Sequence, residues 1–286
     1  MGMGKAYIGV ADDSAAIFMN PAGLGQISSI QLHSMQADLI GDIDYLSVGG
    51  VMPLGSGTLG ISMLRASVAD IQITELDNNF RAKVVDNVTY TDSLYVLAYG
   101  LPVTGYYNSL FKANLPGKLY AGISSKYYQR GVAEISQGSG ANIDLGLLYK
   151  MDQTWSFGVA QKNALITPVI QWDTGAVDQM IAYTSFGVAY RVDPKWVLTS
   201  DYDFSFSNKR KALLHLGTEY SFNELFQGRF GWEEVNDAIG SKTYSHFTFG
   251  FSLGIQGFMV DYAFQDYYQD QANTAHFISL KYSFDN

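Results

Sequence analysis

Segments of about ten residues in which apolar and polar side chains alternate recur along most of this chain. In the segment 211–222, Leu214 and Leu216 fall on one face, and His215 and Glu219 fall on the other. Because successive side chains of a strand point to opposite faces, this pattern predicts strands with one apolar and one polar face. About ten residues is also the length with which a tilted strand crosses a bilayer, so the pattern favours a transmembrane barrel.

Fourteen such segments follow the first 25 residues, and an even number of strands returns the chain to the side on which it started. The predicted fold is therefore all-β, a transmembrane antiparallel β-barrel of about 14 strands. The predicted strands are 27–37, 43–52, 57–67, 91–101, 118–129, 141–150, 154–163, 181–191, 195–206, 211–222, 225–235, 243–253, 256–265 and 274–284.

The predicted connections alternate between tight turns and longer loops, the longest of them at 68–90 and 164–180. Outer-membrane barrels have this asymmetry, with the short turns on the periplasmic side. The two long loops are the predicted contact surface for any protein partner. One connection departs from the rule, because 102–117 belongs to the short side yet is long and apolar. It either lies along the membrane surface or contacts a partner.

The composition agrees with this class of fold. Charged residues are 16% of the chain and aromatic residues 14%, whereas a soluble domain has about 25% charge. Many aromatic side chains and little charge suit a barrel with a lipid-facing band and aromatic girdles. A soluble β-sandwich or propeller is the alternative. The net charge of −9 argues against a nucleic-acid partner, and the absence of Cys excludes thiolate chemistry.

The first 25 residues do not follow the strand pattern. Ser14 is a predicted helix N-cap, with Asp12 and Asp13 beside the positive end of the helix dipole. The run 15–19 is apolar, and Pro21 ends the helix because the residue before a proline is disfavoured in helical conformation. A helix this short is not stable alone in water, so it requires a surrounding structure.

We therefore predict that residues 1–25 lie inside a barrel formed by residues 26–286, and that both parts make one structural domain. Glycines that fall on the inward face of predicted strands support this, because glycine within a strand marks close approach of another backbone. The alternative is that these glycines only ease the curvature of the barrel wall. They are Gly60, Gly122, Gly146, Gly158, Gly187, Gly217, Gly231 and Gly250.

The run from residue 2 to residue 24, GMGKAYIGVADDSAAIFMNPAGL, resembles the N-terminal segment of outer-membrane barrels of the FadL-like superfamily, most closely its PorV/PorQ-type branch. Weaker similarity continues at 142–149, 214–220, 260–263 and 276–284. The resemblance implies a bacterial outer-membrane location, and a secretory signal peptide, which does not open this chain, would then have been removed. It also implies that the Asn-Pro-Ala run, here residues 20–22, belongs to a hatch that plugs the barrel from the periplasmic side.

The candidate site residues fall into two sets. The hatch set is Asp12, Asp13, Phe18, Asn20, Pro21 and Ala22. The second set consists of charged residues predicted to face the lumen, where each must pair or meet water: Lys126, Arg130, Asp201, Asp203, Glu219, Arg229, Asp261 and Lys281. We expect at least one of the two hatch aspartates to pair with an inward cation and pin the hatch.

Two functions follow from the resemblance. In the first, the barrel admits small hydrophobic molecules passively, as FadL-type channels do, so a hydrophobic ligand or a detergent molecule would occupy the lumen. In the second, it is a non-conducting scaffold or shuttle partner of a secretion system, as in type IX secretion. The inner wall formed by the first four strands is partly apolar, and it serves either to pass an apolar ligand or to seat the helix. The four histidines lack metal-ligand spacing and no nucleophile motif is present, so we predict no enzyme, metal or cofactor.

Overall fold

The structure is a computed structural model that describes residues 1–39, 43–78, 80–132, 135–165, 169–206, 210–236, 242–267 and 273–284. Nearly all regular structure in these ranges is β-strand. In chain order the strands are β1 (Gln31–Leu39), β2 (Ile43–Leu54), β3 (Gly57–Leu76), β4 (Ala82–Pro102), β5 (Lys118–Val132), β6 (Ser136–Lys150), β7 (Trp155–Lys162), β8 (Val169–Trp172), β9 (Val177–Gln179), β10 (Tyr183–Asp193), β11 (Trp196–Phe204), β12 (Leu213–Ser221), β13 (Phe226–Asn236), β14 (Thr243–Ile255), β15 (Phe258–Tyr267) and β16 (Asn273–Ser283).

Fourteen of these strands close into one antiparallel barrel. Neighbours along the chain pair with each other, β7 pairs with β10, and the first strand β1 pairs with the last strand β16. The remaining two strands, β8 and β9, form a small hairpin that pairs with β6 outside the ring. The predicted all-β barrel of about 14 strands is therefore confirmed, and closure leaves the wall without free strand edges.

The apolar and polar faces predicted from the sequence are the outer and inner faces of the barrel wall. On β12, Leu216 points outward and is 41% exposed, whereas the neighbouring His215 points inward and is 6% exposed. We call the end of the barrel with the tight turns the turn end and the opposite end the loop end. Aromatic pairs lie on the outer surface near the turn end, including Trp155 with Tyr190 and Phe258 with Tyr282, whose ring centroids are 4.6 and 4.4 Å apart. Such a band is typical of the girdle at a membrane surface.

The predicted loop 68–90 is wrong for most of its length. Strand β3 continues to Leu76 and β4 begins at Ala82, so the two strands project past the barrel rim as a hairpin. Most of its residues are exposed on both faces, so the one-sided alternation that reveals barrel strands is lost there. The other long connection, 164–180, carries β8 and β9. Contact of either region with a protein partner stays a prediction.

The N-terminal segment, residues 1–25, contains two short 3₁₀ helices instead of the predicted single helix. The first is Ser14–Ile17, and its N-cap is Asp13 rather than Ser14, because the Asp13 side chain accepts the N–H of Ala15 at 2.9 Å. The second is Pro21–Gln26. Residues 27–30, predicted as the start of the first strand, are not strand, since β1 begins at Gln31.

One helix, α1 (Thr104–Phe111), occupies the apolar connection between β4 and β5 at the turn end. Tyr106, Leu110 and Phe111 on this helix are largely exposed. No helix among the described residues is long and apolar enough to cross a bilayer. Contact of α1 with a membrane surface or with a partner stays a prediction.

Candidate functional site

The N-terminal segment runs along the inner wall of the barrel. All eight inward glycines named above lie against it: Gly250 meets Gly2, Gly231 meets Gly4, Gly217 meets Met3, Gly187 meets Gly9, Gly158 meets Ile8, Gly146 meets Asn20, Gly122 meets Pro21 and Gly60 meets Ile17. A Cβ atom at most of these positions would overlap the backbone of the segment. Their common property is therefore clearance for the N-terminal segment. Its residues 2–4 meet β12–β14, residues 8–9 meet β7 and β10, and residues 17–22 meet β3, β5 and β6.

Side chains of the wall bind the backbone of the segment directly. Asp201 accepts the N–H of Tyr7 at 2.6 Å and that of Ile8 at 2.8 Å. Thr248 accepts the N–H of Gly4 at 2.8 Å, and Ser156 donates to the carbonyl of Gly9 at 2.7 Å. These bonds matter because irregular backbone away from solvent needs partners for its N–H and C=O groups.

The Asn-Pro-Ala run is held at the wall formed by β5 and β6. Asn20 is fully buried, and its amide nitrogen donates to the carbonyls of Ile8 and Leu147 at 3.0 and 3.1 Å. Its side-chain oxygen accepts the N–H of Ala22 at 3.2 Å, which caps the second 3₁₀ helix. Asn20 thereby ties two parts of the segment to each other and to β6. Pro21 and Ala22 are buried beside it.

Asp13 joins the first 3₁₀ helix to the last strand of the barrel. Its carboxylate pairs with the ammonium of Lys281 at 2.6 Å and accepts the hydroxyl of Tyr7 at 2.6 Å. Burial acts to raise the pKa of Asp13, but the charge of Lys281 and these hydrogen bonds outweigh it, so the pKa lies below its usual value. The expected pairing of a hatch aspartate with an inward cation is thus present, and Asp13 makes it.

Asp12 differs from its neighbour. Its side chain is exposed to the interior space, and burial within the barrel together with the charge of Asp13 raises its pKa. We therefore expect Asp13, and not Asp12, to hold the first 3₁₀ helix.

A second anchor stands on β7. The ammonium of Lys162 donates to the backbone carbonyl of Phe18 at 2.5 Å, at the end of the first 3₁₀ helix. Asp144 lies between two lysines, 3.2 Å from Lys162 and 2.5 Å from Lys126. Lys162 is not among the predicted lumen charges. Lys162 is four residues after the inward-facing Gly158 on the same strand. Because side chains alternate between the two faces of a strand, this spacing would have predicted that Lys162 also faces inward.

The other predicted lumen charges form pairs along the inner wall. Arg229 contacts Glu219 at 2.6 Å and Asp261 at 3.0 Å. Arg130 contacts Asp92 at 3.0 Å, and Asp203 contacts Arg210 at 2.5 Å. The structure therefore brings Lys281 and Asp201 to the N-terminal segment, whereas Arg130 lies toward the loop end, away from the segment.

Two cavities in the interior are bounded by the described residues. The larger, about 690 Å³, lies beside the N-terminal segment and borders most strands of the barrel, among them β16, β1 and β2. Apolar side chains of its wall are Met35, Tyr45, Leu64, Leu94 and Phe277. Its charged lining includes pairs described above, among them Asp13 with Lys281. A volume of this size is within the range of small-molecule sites, which are about 300–1,000 Å³.

The smaller cavity, about 440 Å³, lies toward the loop end. Its lining includes Lys162, Asp203, Arg210, His215 and Glu234. In the described part of the chain, no cluster of three His, Asp or Glu side chains has the arrangement of a metal site. Sequence reasoning could not have found either cavity, because their shapes depend on where the segment lies in the barrel.

A closed fourteen-stranded antiparallel barrel of this kind is the fold of FadL-type outer-membrane barrels. Among solved structures, the chain is similar to the P. putida toluene transporter TodX, with 11% identity, 96% of this chain and 94% of that chain covered, and a TM-score of 0.61. It is similar to the monoaromatic hydrocarbon channel CymD, with 11% identity, 100% and 96% covered, and a TM-score of 0.68.

A third similar structure is a FadL homologue of Pseudomonas aeruginosa, with 12% identity, 99% and 97% covered, and a TM-score of 0.61. No protein-family model and no curated protein matches the chain. At these identities the similarity establishes the fold. The narrower resemblance to the PorV/PorQ-type branch stays a prediction.

Proposed function

We propose that this chain is an outer-membrane barrel that admits small hydrophobic molecules passively, and that residues 1–25 are the hatch that closes it. The observation that carries the proposal is the cavity of about 690 Å³ beside the N-terminal segment, with apolar side chains along β1–β4 and β16. An apolar solute gains free energy there in proportion to the area it removes from water. The outward band of Leu, Phe and Tyr supports the membrane location.

The nature of the first solute to test comes from the structural neighbours. TodX is a toluene transporter and CymD a monoaromatic hydrocarbon channel. These descriptions support a small aromatic hydrocarbon as the probe for this barrel. The scaffold alternative finds no support in the same similarities, and no observation on the described residues favours it.

The test is uptake of radiolabelled toluene by cells that carry the protein in their outer membrane, compared with cells that lack it. We expect faster uptake with the protein. Ala263 lines the cavity, so Ala263→Trp should fill it and return uptake toward the background. Ala121 next to inward Gly122 faces outward, and Ala121→Trp is the matched control that should leave uptake unchanged. Equal uptake by cells with and without the wild-type barrel would contradict the proposal.

A further inference from the structure

The N-terminal segment is attached to the wall asymmetrically. Its described backbone contacts, both the hydrogen bonds and the close approaches to glycine, go to strands β4–β7 and β10–β14, and side chains of the segment meet Gly60 on β3. At β16 and β1 the described contacts are made by side chains instead. Asp13 pairs with Lys281 at 2.6 Å, and the ring of Phe18 meets the ring of His33 edge-on with centroids 6.5 Å apart.

The larger cavity borders most strands of the barrel and reaches this loosely attached side. It is lined by Asp13 and Phe18 from the segment and by His33, Met35 and Lys281 from the wall. Both side-chain contacts at the seam between β16 and β1 therefore border empty volume. Along β2–β6, Ala16, Ile17, Ala22 and Leu24 have no exposed surface, so that side of the segment is packed like a protein core.

We propose that the route through the barrel runs along the seam between β16 and β1, and that its gate consists of two side-chain contacts, Asp13 with Lys281 and Phe18 with His33. The backbone of the N-terminal segment stays in place while the gate opens. This inference rests on the proposed uptake function and names the part of the hatch that performs it.

The two contacts of the gate have different chemistry, so they act on different solutes. A neutral apolar molecule that moves between Phe18 and His33 leaves the ion pair intact. An ion that crosses at Asp13 and Lys281 must separate two opposite charges inside the barrel, which is unfavourable. The gate is thus built to admit neutral solutes and to hold back ions.

A covalent lock distinguishes this gate from movement of the whole segment. The chain has no cysteine of its own, and a Cβ added to Gly60 would lie 2.7 Å from Cγ1 of Ile17. The double variant Ile17→Cys with Gly60→Cys can therefore form a disulfide that fixes the first 3₁₀ helix to β3. Radiolabelled toluene uptake should be equal in the oxidised and reduced forms of this variant. Loss of uptake on oxidation, restored by reduction, would overturn the gate.

Removal of the ring tests the gate without a lock. Phe18→Ala should raise toluene uptake several-fold, because it widens the seam. Leu148→Ala is the control, since Leu148 is fully buried against the segment on the attached side and its truncation should not raise uptake. An equal increase in both variants would contradict a gate at the seam. If the wild type takes up no toluene, the proposed function fails, whereas a failure of these variants alone leaves that function standing.

Discussion

The carboxylate of Asp201 on β11 accepts the backbone N–H of Ile8 at 2.8 Å in the interior of the barrel. The same oxygen accepts the N–H of Tyr7 at 2.6 Å, so one side chain holds two consecutive residues of the N-terminal segment. Asp201→Leu would leave both donors without a partner, at a cost of about 1–3 kcal/mol for each buried group.

We expect Asp201→Leu to detach the first residues of the segment and to leave the barrel folded. Limited proteolysis should then cleave within residues 1–12, while the heat-dependent shift of the barrel in gel electrophoresis is unchanged. Asp201→Asn retains an acceptor oxygen and should stay protected. Equal protection of the leucine variant would mean that Asp201 does not hold the segment.

The two aspartates of the proposed hatch should differ in their effect on ion leak. Asp13 pairs with Lys281 and caps the first 3₁₀ helix, whereas Asp12 is exposed to the interior space. Removing one partner of an ion pair that is shielded from water costs about 3–5 kcal/mol of stability. An ion pair exposed to water contributes about 0–1 kcal/mol. The pair here is partly exposed, with 30% of Asp13 and 19% of Lys281 accessible, so we expect a value between these limits.

In planar bilayers Asp13→Ala should therefore raise ion conductance, while Asp12→Ala stays near the low conductance of the wild type. Lys281→Met combined with Asp13→Asn removes both charges and should leak less than Asp13→Ala alone, because no charge is stranded. A wild-type barrel that already conducts ions freely would contradict the hatch itself.

The pH dependence of the leak follows from the lowered pKa of Asp13. The pKa of Asp13 is lower in the folded protein than in the unfolded chain, so its carboxylate stabilises the fold. This stabilisation is complete above the ordinary carboxyl pKa and is lost as the pH falls through the lowered pKa of the folded protein. The ordinary carboxyl pKa is about 3.9, so the leak should stay constant from pH 8 to about pH 4 and rise only in stronger acid. Asp13→Asn removes this titration, and a wild-type rise between about pH 5 and 7 would assign the anchor to another group.

The orientation of the wall gives a prediction about membrane stability. Leu216 points outward near the middle of β12, and Ser221 points inward at its end. An arginine on the lipid face at the bilayer midplane costs about 2–4 kcal/mol, so Leu216→Arg should lower the free energy of unfolding by that amount. Ser221→Arg is the comparison and should cost much less. A denaturant titration of refolded protein in lipid vesicles measures both, and equal costs would invalidate the assigned faces.

The sequence predicts the wall well because alternation is a local property. Each of the fourteen predicted barrel segments coincides with a strand of the ring, and inward glycines such as Gly122 lie against the segment that they were predicted to accommodate. The prediction fails where the strand does not have one buried and one exposed face. The hairpin beyond the rim pairs Ile71 with Val88 and has no buried face among its described residues, so its sequence does not alternate between apolar and polar side chains.

The partners of the charged residues were beyond prediction for a different reason. That Lys281 meets Asp13 and Lys162 meets Phe18 depends on the height and rotation of the N-terminal segment within the barrel. These are set by many wall contacts together, and a single sequence gives no measure of them. The predicted N-cap at Ser14 failed similarly, because the neighbouring Asp13 has a carboxylate that reaches the N–H of Ala15.

The path of the N-terminal segment also sets the sequence of events in assembly. Ile17 and Leu24 meet β3, which follows closely in the chain, whereas Gly4 bonds to Thr248 across 244 residues. Closing a longer loop costs more entropy, so contacts near residues 17–25 should form first and those of residues 2–4 last. The beginning of the chain is therefore the last part to reach its final position. Its hydrogen bond to Thr248 can form only after β13 and β14 have paired in the barrel wall.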